Sequence, residues 1–377
     1  MKSQDVERLF FRPAPTSAAE LADRRRESSE SFQSPPVRTE NAPYHLDLAA
    51  ILPSRTRAIE QAGQVVFHAV GDTGSVSDRG AQENVAEHMT RQIETTEFPD
   101  QPSFLYHLGD VVYYQGEDTK YHDQFYHPYQ DYPAPIFAIP GNHDGKVGGD
   151  SAHTLEAFMK HFCSPVPYHP LEAGHSDRPT MIQPNCYWRL ETPLVTIIGL
   201  YSNVSGELDN TDANSNVQRD WLTEELSTAP SDRCLLIAVH HPLYSLGSHG
   251  PTRRVAKALE HAIKVSGRYP DVVLSGHDHN YQRFTRKIDR SHEIPYLIVG
   301  AGGMTGYHLA RVHKHRDPGE NVTLEHHNHK RPGFLRLTIS AERLRGEYFT
   351  VPKAGRENDE EERDDHFKLD LKNHKLT

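Results

Sequence analysis

The chain has 377 residues, a length that fits one large catalytic domain or two smaller ones. Its 41 Lys and Arg residues against 52 Asp and Glu residues give a net charge of −11, so we expect no nucleic-acid partner. The three cysteines, Cys163, Cys186 and Cys234, lie far apart in the sequence and predict neither a disulfide framework nor a thiolate metal site.

The composition changes twice along the chain. Residues 1–62 are rich in Pro, Ser, Arg and Glu and predict a polar, flexible N-terminal arm. This arm has no apolar run longer than Leu9–Phe11, so it predicts neither a secretory signal nor a membrane span, and we expect a cytoplasmic enzyme with no membrane partner. Residues 63–352 form the predicted catalytic domain. Residues 353–377, which include RENDEEERDD, predict a charged, solvated C-terminal tail.

Apolar runs alternate with amphipathic stretches through the central region. The amphipathic stretches 81–94, 153–162, 217–227 and 252–265 have apolar residues at three- and four-residue spacing, which is typical of helices. This alternation predicts an α/β fold with a largely buried sheet. The apolar runs predict strands buried on both faces, and they are VVFHAV (65–70), FLYHL (104–108), PIFAI (135–139), LVTIIGL (194–200), LLIAV (235–239), DVVLS (271–275) and YLIVG (296–300).

Five of these predicted strands end in residues that can bind metal. In open α/β sheets, ligands bind beyond the carboxyl ends of strands, so we expect the five ends to converge. A single Gly-Asp pair is usually a turn, whereas five such ends in succession indicate a site. The segments are Gly71-Asp72-Thr73-Gly74, Gly109-Asp110, Gly141-Asn142-His143-Asp144, His240-His241-Pro242 and Gly276-His277-Asp278-His279.

These residue types suit a two-metal hydrolytic centre. Two metal ions ~3.5–4 Å apart can stabilise both the attacking and the leaving oxygens of a displacement at phosphorus. Such a centre needs a carboxylate that bridges both ions, a role that Asp110 can fill. Asn142 adds a neutral carbonyl oxygen, and the histidines add the imidazoles that borderline divalent ions prefer.

The motifs resemble those of the calcineurin-like metallophosphoesterase superfamily. The first motif of that superfamily usually reads Asp-x-His, but here Gly74 stands where the histidine would be. In the next motif, Gly-Asp-x-x-Tyr, Tyr113 can supply the missing ligand. Together with Gly-Asn-His-Asp, Val-His-His-Pro and Gly-His-x-His, this pattern is similar to the purple acid phosphatase branch, in which a tyrosine phenolate binds iron(III) and gives the protein its colour.

The resemblance implies a four-layer αββα sandwich, that is, two mixed sheets flanked by helices. It also implies iron(III) bound by Asp72, Asp110, Tyr113 and His279. A divalent ion (iron, zinc or manganese) would be bound by the bridging Asp110 and by Asn142, His240 and His277.

Two further histidines match positions at which the family binds substrate or donates a proton. His143 follows Asn142 directly, and His249 lies nine positions after His240 (249 − 240). The alternative is that both are solvated loop residues. His241 is expected to point away from the site, since neighbouring residues of a strand face opposite sides. The histidine-rich segment 308–329 fits an exposed polar loop that binds stray metal.

The resemblance implies hydrolysis of phosphomonoesters by in-line attack of a metal-bound hydroxide, with a small phosphorylated molecule as substrate. His143 would bind the phosphoryl oxygens, and His249 or His143 would protonate the leaving group. A phosphodiesterase or nucleotidase with the same centre is the nearest alternative. A non-catalytic protein that binds metal or phosphate is the alternative of another class. The sequence leaves the oligomeric state open.

Overall fold

Two β-sheets form the middle of the fold, and helices flank them. The computed structural model describes residues 34–36, 42–74, 79–148, 153–204, 207–208, 217–290, 292–304, 321–352 and 361–377. The helices are α1 (Leu48–Ile51), α2 (Pro53–Ala62), α3 (Arg79–Thr95), α4 (Glu156–Phe162), α5 (Val217–Thr228) and α6 (Arg253–Ser266), with single helical turns at Asp118–Lys120, His122–Tyr126 and Leu171–Ala173.

The strands follow in chain order. They are β1 (His45–Asp47), β2 (Gln64–Val70), β3 (Leu105–His107), β4 (Ile136–Ala138), β5 (Trp188–Glu191), β6 (Val195–Leu200), β7 (Cys234–Val239), β8 (Val272–Ser275), β9 (Tyr281–Lys287), β10 (Glu293–Val299), β11 (Val322–Asn328), β12 (Gly333–Ser340), β13 (Arg343–Thr350), β14 (Glu362–Asp370) and β15 (Lys375–Leu376). One sheet has the order β1-β5-β6-β7-β8-β10-β9-β11 and the other β15-β14-β13-β12-β2-β3-β4. The predicted two-sheet sandwich of the α/β class is confirmed.

The central strands are buried on both faces, as their continuous apolar sequences predict. In β7, Leu236 and Ala238 face the core between the sheets, whereas Leu235 and Ile237 face the core beneath the helices. Successive side chains of a strand point to opposite faces, so one strand contributes to both cores.

Helix α6 is buried on one face only, as expected of an amphipathic helix that packs against a sheet. In α6, the buried residues Val255, Ala258, Leu259, Ala262 and Ile263 recur at three- and four-residue spacing and form one apolar face. The helix ends where Gly267 adopts a left-handed conformation and its N–H donates to the carbonyl oxygen of Ile263.

Both ends of the predicted catalytic domain extend further than the sequence indicated. The predicted arm of residues 1–62 contains β1, which pairs in parallel with β5, and helices α1 and α2. The predicted tail of residues 353–377 contains β14, which pairs along its length with β13. In β14, Phe367 and Leu369 are buried and alternate with the exposed His366 and Lys368, so the strand has one apolar and one polar face here. Residues 1–33 lie outside the described ranges.

None of the described helices is both long and apolar enough to cross a membrane.

Candidate metal centre

The seven predicted ligands converge where strands of both sheets end. Strands β2, β3 and β4 are parallel neighbours in one sheet, and β7 and β8 are parallel neighbours in the other. The loops that follow these five strands therefore meet at one edge of the sandwich. Each ligand side chain is between 0% and 7% exposed, and the seven are Asp72, Asp110, Tyr113, Asn142, His240, His277 and His279.

The first group of donors consists of Asp72, Tyr113 and His279. The Tyr113 hydroxyl lies 3.3 Å from Asp72 Oδ1 and 3.2 Å from His279 Nε2, and His279 Nε2 lies 3.5 Å from Asp72 Oδ1. Donors that bind one ion at ~2.0–2.2 Å are separated by ~3 Å or slightly more, so this spacing matches a shared ion. These three residues are the ones that the resemblance assigned to iron, apart from the bridging carboxylate.

The second group consists of Asn142, His240 and His277. Asn142 Oδ1 lies 3.1 Å from His240 Nε2 and 2.9 Å from His277 Nδ1. His240 Nδ1 donates to the carbonyl oxygen of Leu108 at 2.8 Å, which directs Nε2 towards the other donors. A backbone acceptor that fixes the ring in this way is typical of metal-binding histidines.

Asp110 lies between the two groups. Its Oδ2 is 3.4 Å from His240 Nε2, and one donor atom each from Asp72, Asp110 and His240 lie within 4.8 Å of one another. Asp110 Oδ1 accepts a hydrogen bond from the backbone N–H of His143 at 2.9 Å, which fixes the carboxylate. Its place between the groups is the one that a bridging ligand requires.

Three of the donors occupy an uncommon backbone conformation. Asp72, Asp110 and His277 have φ angles of 57°, 54° and 70°, in the left-handed region. Asp and His are among the non-glycine residues that tolerate this region best, but it still costs ~1–2 kcal/mol per residue. The backbone N–H of His277 donates to both Asp72 oxygens, at 3.0 and 2.8 Å, and so joins the turn after β8 to the turn after β2.

Gly74 has no room for a side chain because Gln124, the Val111 backbone and the Tyr113 ring fill the adjoining space. A Cβ atom at Gly74 would lie 2.9 Å from Tyr113 Cδ2, 2.7 Å from the Val111 carbonyl oxygen and 2.5 Å from Gln124 Oε1. The Gln124 amide is itself fixed, since it accepts from the Tyr113 N–H at 2.8 Å and donates to the Tyr113 carbonyl oxygen at 3.0 Å. A side chain at position 74 would therefore have to displace the Gln124 amide and the Tyr113 ring that it fixes.

The titration of the centre reflects buried charges that need a cation. Burial, together with the Asp110 and Asp72 carboxylates, raises the pKa of Tyr113 well above its ordinary value. Burial alone would lower the pKa of His240, but the Asp110 carboxylate raises it to about 10. Burial lowers the pKa of both His277 and His279, which keeps these imidazoles neutral, the form in which histidine binds metal.

The donor set fits a pair of metal ions by its chemistry. Three anionic or ionisable oxygen donors, one amide oxygen and three imidazoles are brought together with little access to solvent. The amide nitrogen of Asn142 is buried and has no hydrogen-bond partner among the described residues, while its oxygen contacts two ring nitrogens. Such an arrangement of converging lone pairs is favourable with a cation between them and unfavourable without one.

The two predicted outer histidines lie against the donor groups. The His143 ring centroid is 4.3 Å from that of Tyr113, and His143 Nδ1 donates to the Tyr114 carbonyl oxygen at 2.8 Å. The His249 ring centroid is 4.6 Å from that of His277, and His249 is 6% exposed. His249 is buried, whereas His143 is partly exposed and its hydrogen bond to Tyr114 lies at the surface.

His241 also borders the centre, contrary to the expectation that it points away. Its ring centroid lies 4.4 Å from that of His277, and its Nδ1 is 2.7 Å from the Ser202 hydroxyl. Strand β7 ends at Val239, so His241 lies in the following turn, where the two-residue alternation no longer holds.

A second missed residue is Asp144. Its carboxylate accepts backbone hydrogen bonds from Gly141 at 2.8 Å, Val111 at 3.1 Å and Val112 at 3.1 Å. Burial and the nearby Asp110 raise the pKa of Asp144 to about 6. Asp144 thus ties the loop after β3 to the loop after β4, and its place in Gly-Asn-His-Asp was the available signal.

A second cluster of possible ligands, Asp118, His161 and Glu172, lies elsewhere in the described part of the chain. Lys160 Nζ is 2.6 Å from Asp118 and 2.8 Å from Glu172, so an ammonium group already neutralises these carboxylates. The cluster is an ion-pair network. Of the histidine-rich segment, residues 308–320 lie outside the described ranges, whereas His326 and His327 are half-buried in strand β11 and not in the exposed loop that the sequence predicted.

The fold and this donor set define a metal-dependent phosphoesterase. The chain belongs to the calcineurin-like phosphoesterase family, whose model matches residues 58–281. Tartrate-resistant acid phosphatase type 5 from Rattus norvegicus is 28% identical over 268 residues, which cover 67% of this chain and 76% of that protein. The enzyme of the same name from Sus scrofa is 27% identical over 301 residues, covering 76% and 79%.

Two solved structures share the fold. The first is described as GAP50, the anchor in the inner membrane complex of Plasmodium, with a TM-score of 0.56, 16% identity and coverage of 80% of this chain and 88% of that chain. The structure of PhoD has a TM-score of 0.51, 13% identity and coverage of 83% and 71%. At these identities the likeness concerns the fold alone. The family and its acid phosphatase relatives together imply a metal cofactor.

Proposed function

We propose that the protein hydrolyses small phosphomonoesters at a dinuclear centre, as an acid phosphatase of the purple type. The observation that carries the proposal is the division of the seven donors into two groups with Asp110 between them. The acid phosphatase relatives, at 27–28% identity, support the same reaction class.

Iron(III) would be bound by Asp72, Asp110, Tyr113 and His279, and a divalent ion (iron, zinc or manganese) by Asp110, Asn142, His240 and His277. When bound, the two ions supply positive charge at the phosphoryl group and activate water as the nucleophile. The phenol of Tyr113 must lose its proton to act as an anionic ligand. Since burial and two carboxylates raise its pKa, only a strongly Lewis-acidic ion favours that form.

The outer histidines would act on the substrate. His143 donates through Nδ1 to the Tyr114 carbonyl oxygen, which fixes the ring beside Tyr113, and its Nε2 would meet a phosphoryl oxygen. His249 lies beside the ring of His277 and would donate a proton to the leaving alkoxide. His241, held through Nδ1 by Ser202, adds a third imidazole beside the centre.

Assays of the fully metallated protein with matched monoesters and diesters test the reaction. We expect kcat/KM for an aryl monoester to exceed that for the corresponding diester by at least tenfold. A preference for the diester would assign the same centre to a phosphodiesterase. No turnover of either substrate by protein with two bound metals would indicate a non-catalytic binding protein.

The visible spectrum tests the iron assignment. A phenolate–iron(III) pair absorbs visible light, and Tyr113→Phe keeps the ring while it removes the oxygen, so the band should vanish. Residual hydrolysis is expected, since Asp72, Asp110 and His279 can still bind the ion. A colourless wild-type protein that contains only zinc or manganese, with Tyr113→Phe fully active, would make the enzyme an ordinary divalent-metal phosphoesterase.

A further inference from the structure

Asp278 lies in sequence between two proposed ligands, His277 and His279, yet its side chain contacts a different segment. The side chain is fully buried, at 0% exposure. Its Oδ1 accepts a hydrogen bond from the backbone N–H of His249 at 3.0 Å, and its Oδ2 accepts one from the Ser245 hydroxyl. One carboxylate thus joins the ligand-bearing turn to the loop that carries His249.

The loop of residues 245–249 is ordered around this carboxylate. The N–H of Gly247 donates to Ser245 Oγ at 2.8 Å, and the N–H of Leu246 donates to Gln282 Oε1 at 2.9 Å. Gln282 Nε2 in turn donates to Asn280 Oδ1 at 2.8 Å and lies 3.2 Å from Ser245 Oγ. These contacts link the loop to the ligand-bearing turn at Asp278 and to strand β9, which follows that turn, at Gln282.

Gly247 allows the carboxylate to approach the loop backbone. A Cβ atom at Gly247 would lie 2.3 Å from Asp278 Oδ1 and 2.7 Å from Asp278 Oδ2, so any side chain there would displace the carboxylate. The sequence therefore supplies a small residue at the point where Asp278 meets the loop, and hydrogen-bond donors on either side of it.

This arrangement fixes the backbone of His249, and the His249 ring lies beside the rings of two proposed ligands. Its centroid is 4.6 Å from that of His277 and 5.6 Å from that of His279. Hydrogen bonds to a carboxylate are roughly twice as strong as neutral ones, and the burial of Asp278 protects them from competing water. Displacement of a reacting group by ~1 Å can lower a rate by ~10²-fold.

We infer that Asp278 is a positioning residue that holds the 245–249 loop, and hence the His249 imidazole, at the metal centre. The inference rests on the proposed function in assigning proton donation to His249. Asp278 contributes to the reaction through His249, so its removal should matter only while His249 is present.

Leaving-group dependence and double variants test this coupling. Ser245→Ala removes one hydrogen bond to Asp278 at a residue that is not itself a proposed ligand, and Asp278→Asn weakens the acceptor itself. Each should leave the metal content unchanged and lower kcat for an alkyl phosphate by ~10–100-fold, with a smaller loss for an aryl phosphate. In a His249→Ala background neither change should lower kcat further. If Asp278→Asn or Ser245→Ala lowers kcat by the same factor with and without His249→Ala, the inference is overturned.

Two additional measurements keep the result interpretable. Ser164 is a matched control, because it is also a buried serine (6% exposed against 7% for Ser245) and its hydroxyl donates to the Val166 carbonyl oxygen. Ser164→Ala should not change the leaving-group dependence. If Asp278→Asn loses metal, the variants Ser245→Ala and Gly247→Ala decide whether Asp278 acts through His249.

Amide hydrogen exchange separates this inference from the proposed function. In metallated protein, Ser245→Ala and Gly247→Ala should each speed amide exchange at residues 245–249 by ~10-fold or more. A tenfold change corresponds to ~1.4 kcal/mol, which is about the contribution of one hydrogen bond. Unchanged exchange in both variants would overturn the positioning role. Wild-type protein without phosphomonoesterase activity would contradict the proposed function alone, and the exchange result would still decide whether the carboxylate orders the loop.

Discussion

Gly74→Ala is the sharpest test of how Tyr113 enters the centre. An added Cβ would lie 2.5, 2.7 and 2.9 Å from Gln124 Oε1, the Val111 carbonyl oxygen and Tyr113 Cδ2, all shorter than real Cβ contacts. The Gln124 amide has two hydrogen bonds to the Tyr113 backbone, so it moves only if Tyr113 moves with it. A single methyl group should therefore displace the proposed iron ligand.

The expected magnitude follows from overpacking of a rigid site. Extra methyl groups in well-packed interiors cost ~1–3 kcal/mol, and contacts this short place Gly74→Ala in the upper part of that range. Urea unfolding of the metal-free protein measures the cost directly. If ~1.4–2.8 kcal/mol is relieved by movement of Tyr113 away from the ion, iron(III) affinity falls ~10–100-fold, and the visible band weakens accordingly.

Gly63→Ala is the control for this test. Gly63 has a φ of 64° and no atom within 4 Å of an added Cβ, so the substitution costs ~1 kcal/mol through the backbone without contact with the centre. It should lower stability and leave the band intact. Gly74→Ala protein with wild-type stability and an unchanged band would refute the argument that Tyr113 fills the space beside Gly74.

Four further predictions concern the centre and its pH dependence. Asp110→Asn should abolish turnover and reduce bound metal to one equivalent or less, as metal analysis will show; two metals with near-wild-type activity would exclude a bridging role. His240→Ala should lose most activity but keep the band, since His240 lies in the group without Tyr113, and loss of colour with activity retained would mean that the two groups are assigned in reverse. His143→Ala should lower kcat ~10²-fold or more at unchanged metal content, measured by steady-state kinetics; a loss of metal instead would make it a structural residue. Burial lowers the pKa of His68 from 6.5 to about 3, so its contribution to stability is present above pH 6.5 and is lost as the pH falls towards 3. As the pH falls through that window, the unfolding free energy should decrease less steeply in His68→Gln than in the wild type, by ~1.4 kcal/mol per pH unit. Equal slopes in the two proteins would contradict this reasoning.

The sequence was most informative where strands end in the centre. Strands β2, β3, β4, β7 and β8 were all predicted from apolar runs, and parallel strands place their carboxyl ends at one edge. That rule places Asp72, Asp110 and Asn142 at one edge of one sheet and His240 and His277 at one edge of the other, and the packing of the two sheets brings these edges together. The division of the donors into two groups came from the family resemblance, since spacing along the chain does not determine which ligands meet.

The errors arose where local rules compete with tertiary structure. The charged run RENDEEERDD suggested a solvated tail over residues 353–377, yet pairing of β14 with β13 needs just one apolar face, which Phe367 and Leu369 supply. His241 was misplaced because the alternation of a strand was extended one turn too far. The part played by Asp278 depends on a contact with residues 245–249, which lie about thirty positions earlier in the chain, and no local pattern reveals such a contact.

The centre places buried carboxylates close together, so the surrounding structure must hold them in place. Asp72 and Asp110 are buried side by side, and burial raises the pKa of Asp72 well above its ordinary value, whereas His240 and the neighbouring hydrogen bonds hold that of Asp110 below it. Three donors also have left-handed φ angles, at ~1–2 kcal/mol each. Backbone hydrogen bonds from His277 and His143 fix both carboxylates in spite of these costs. A cation that relieves the repulsion should therefore bind tightly and stabilise the whole domain, because the arrangement that it needs is already formed.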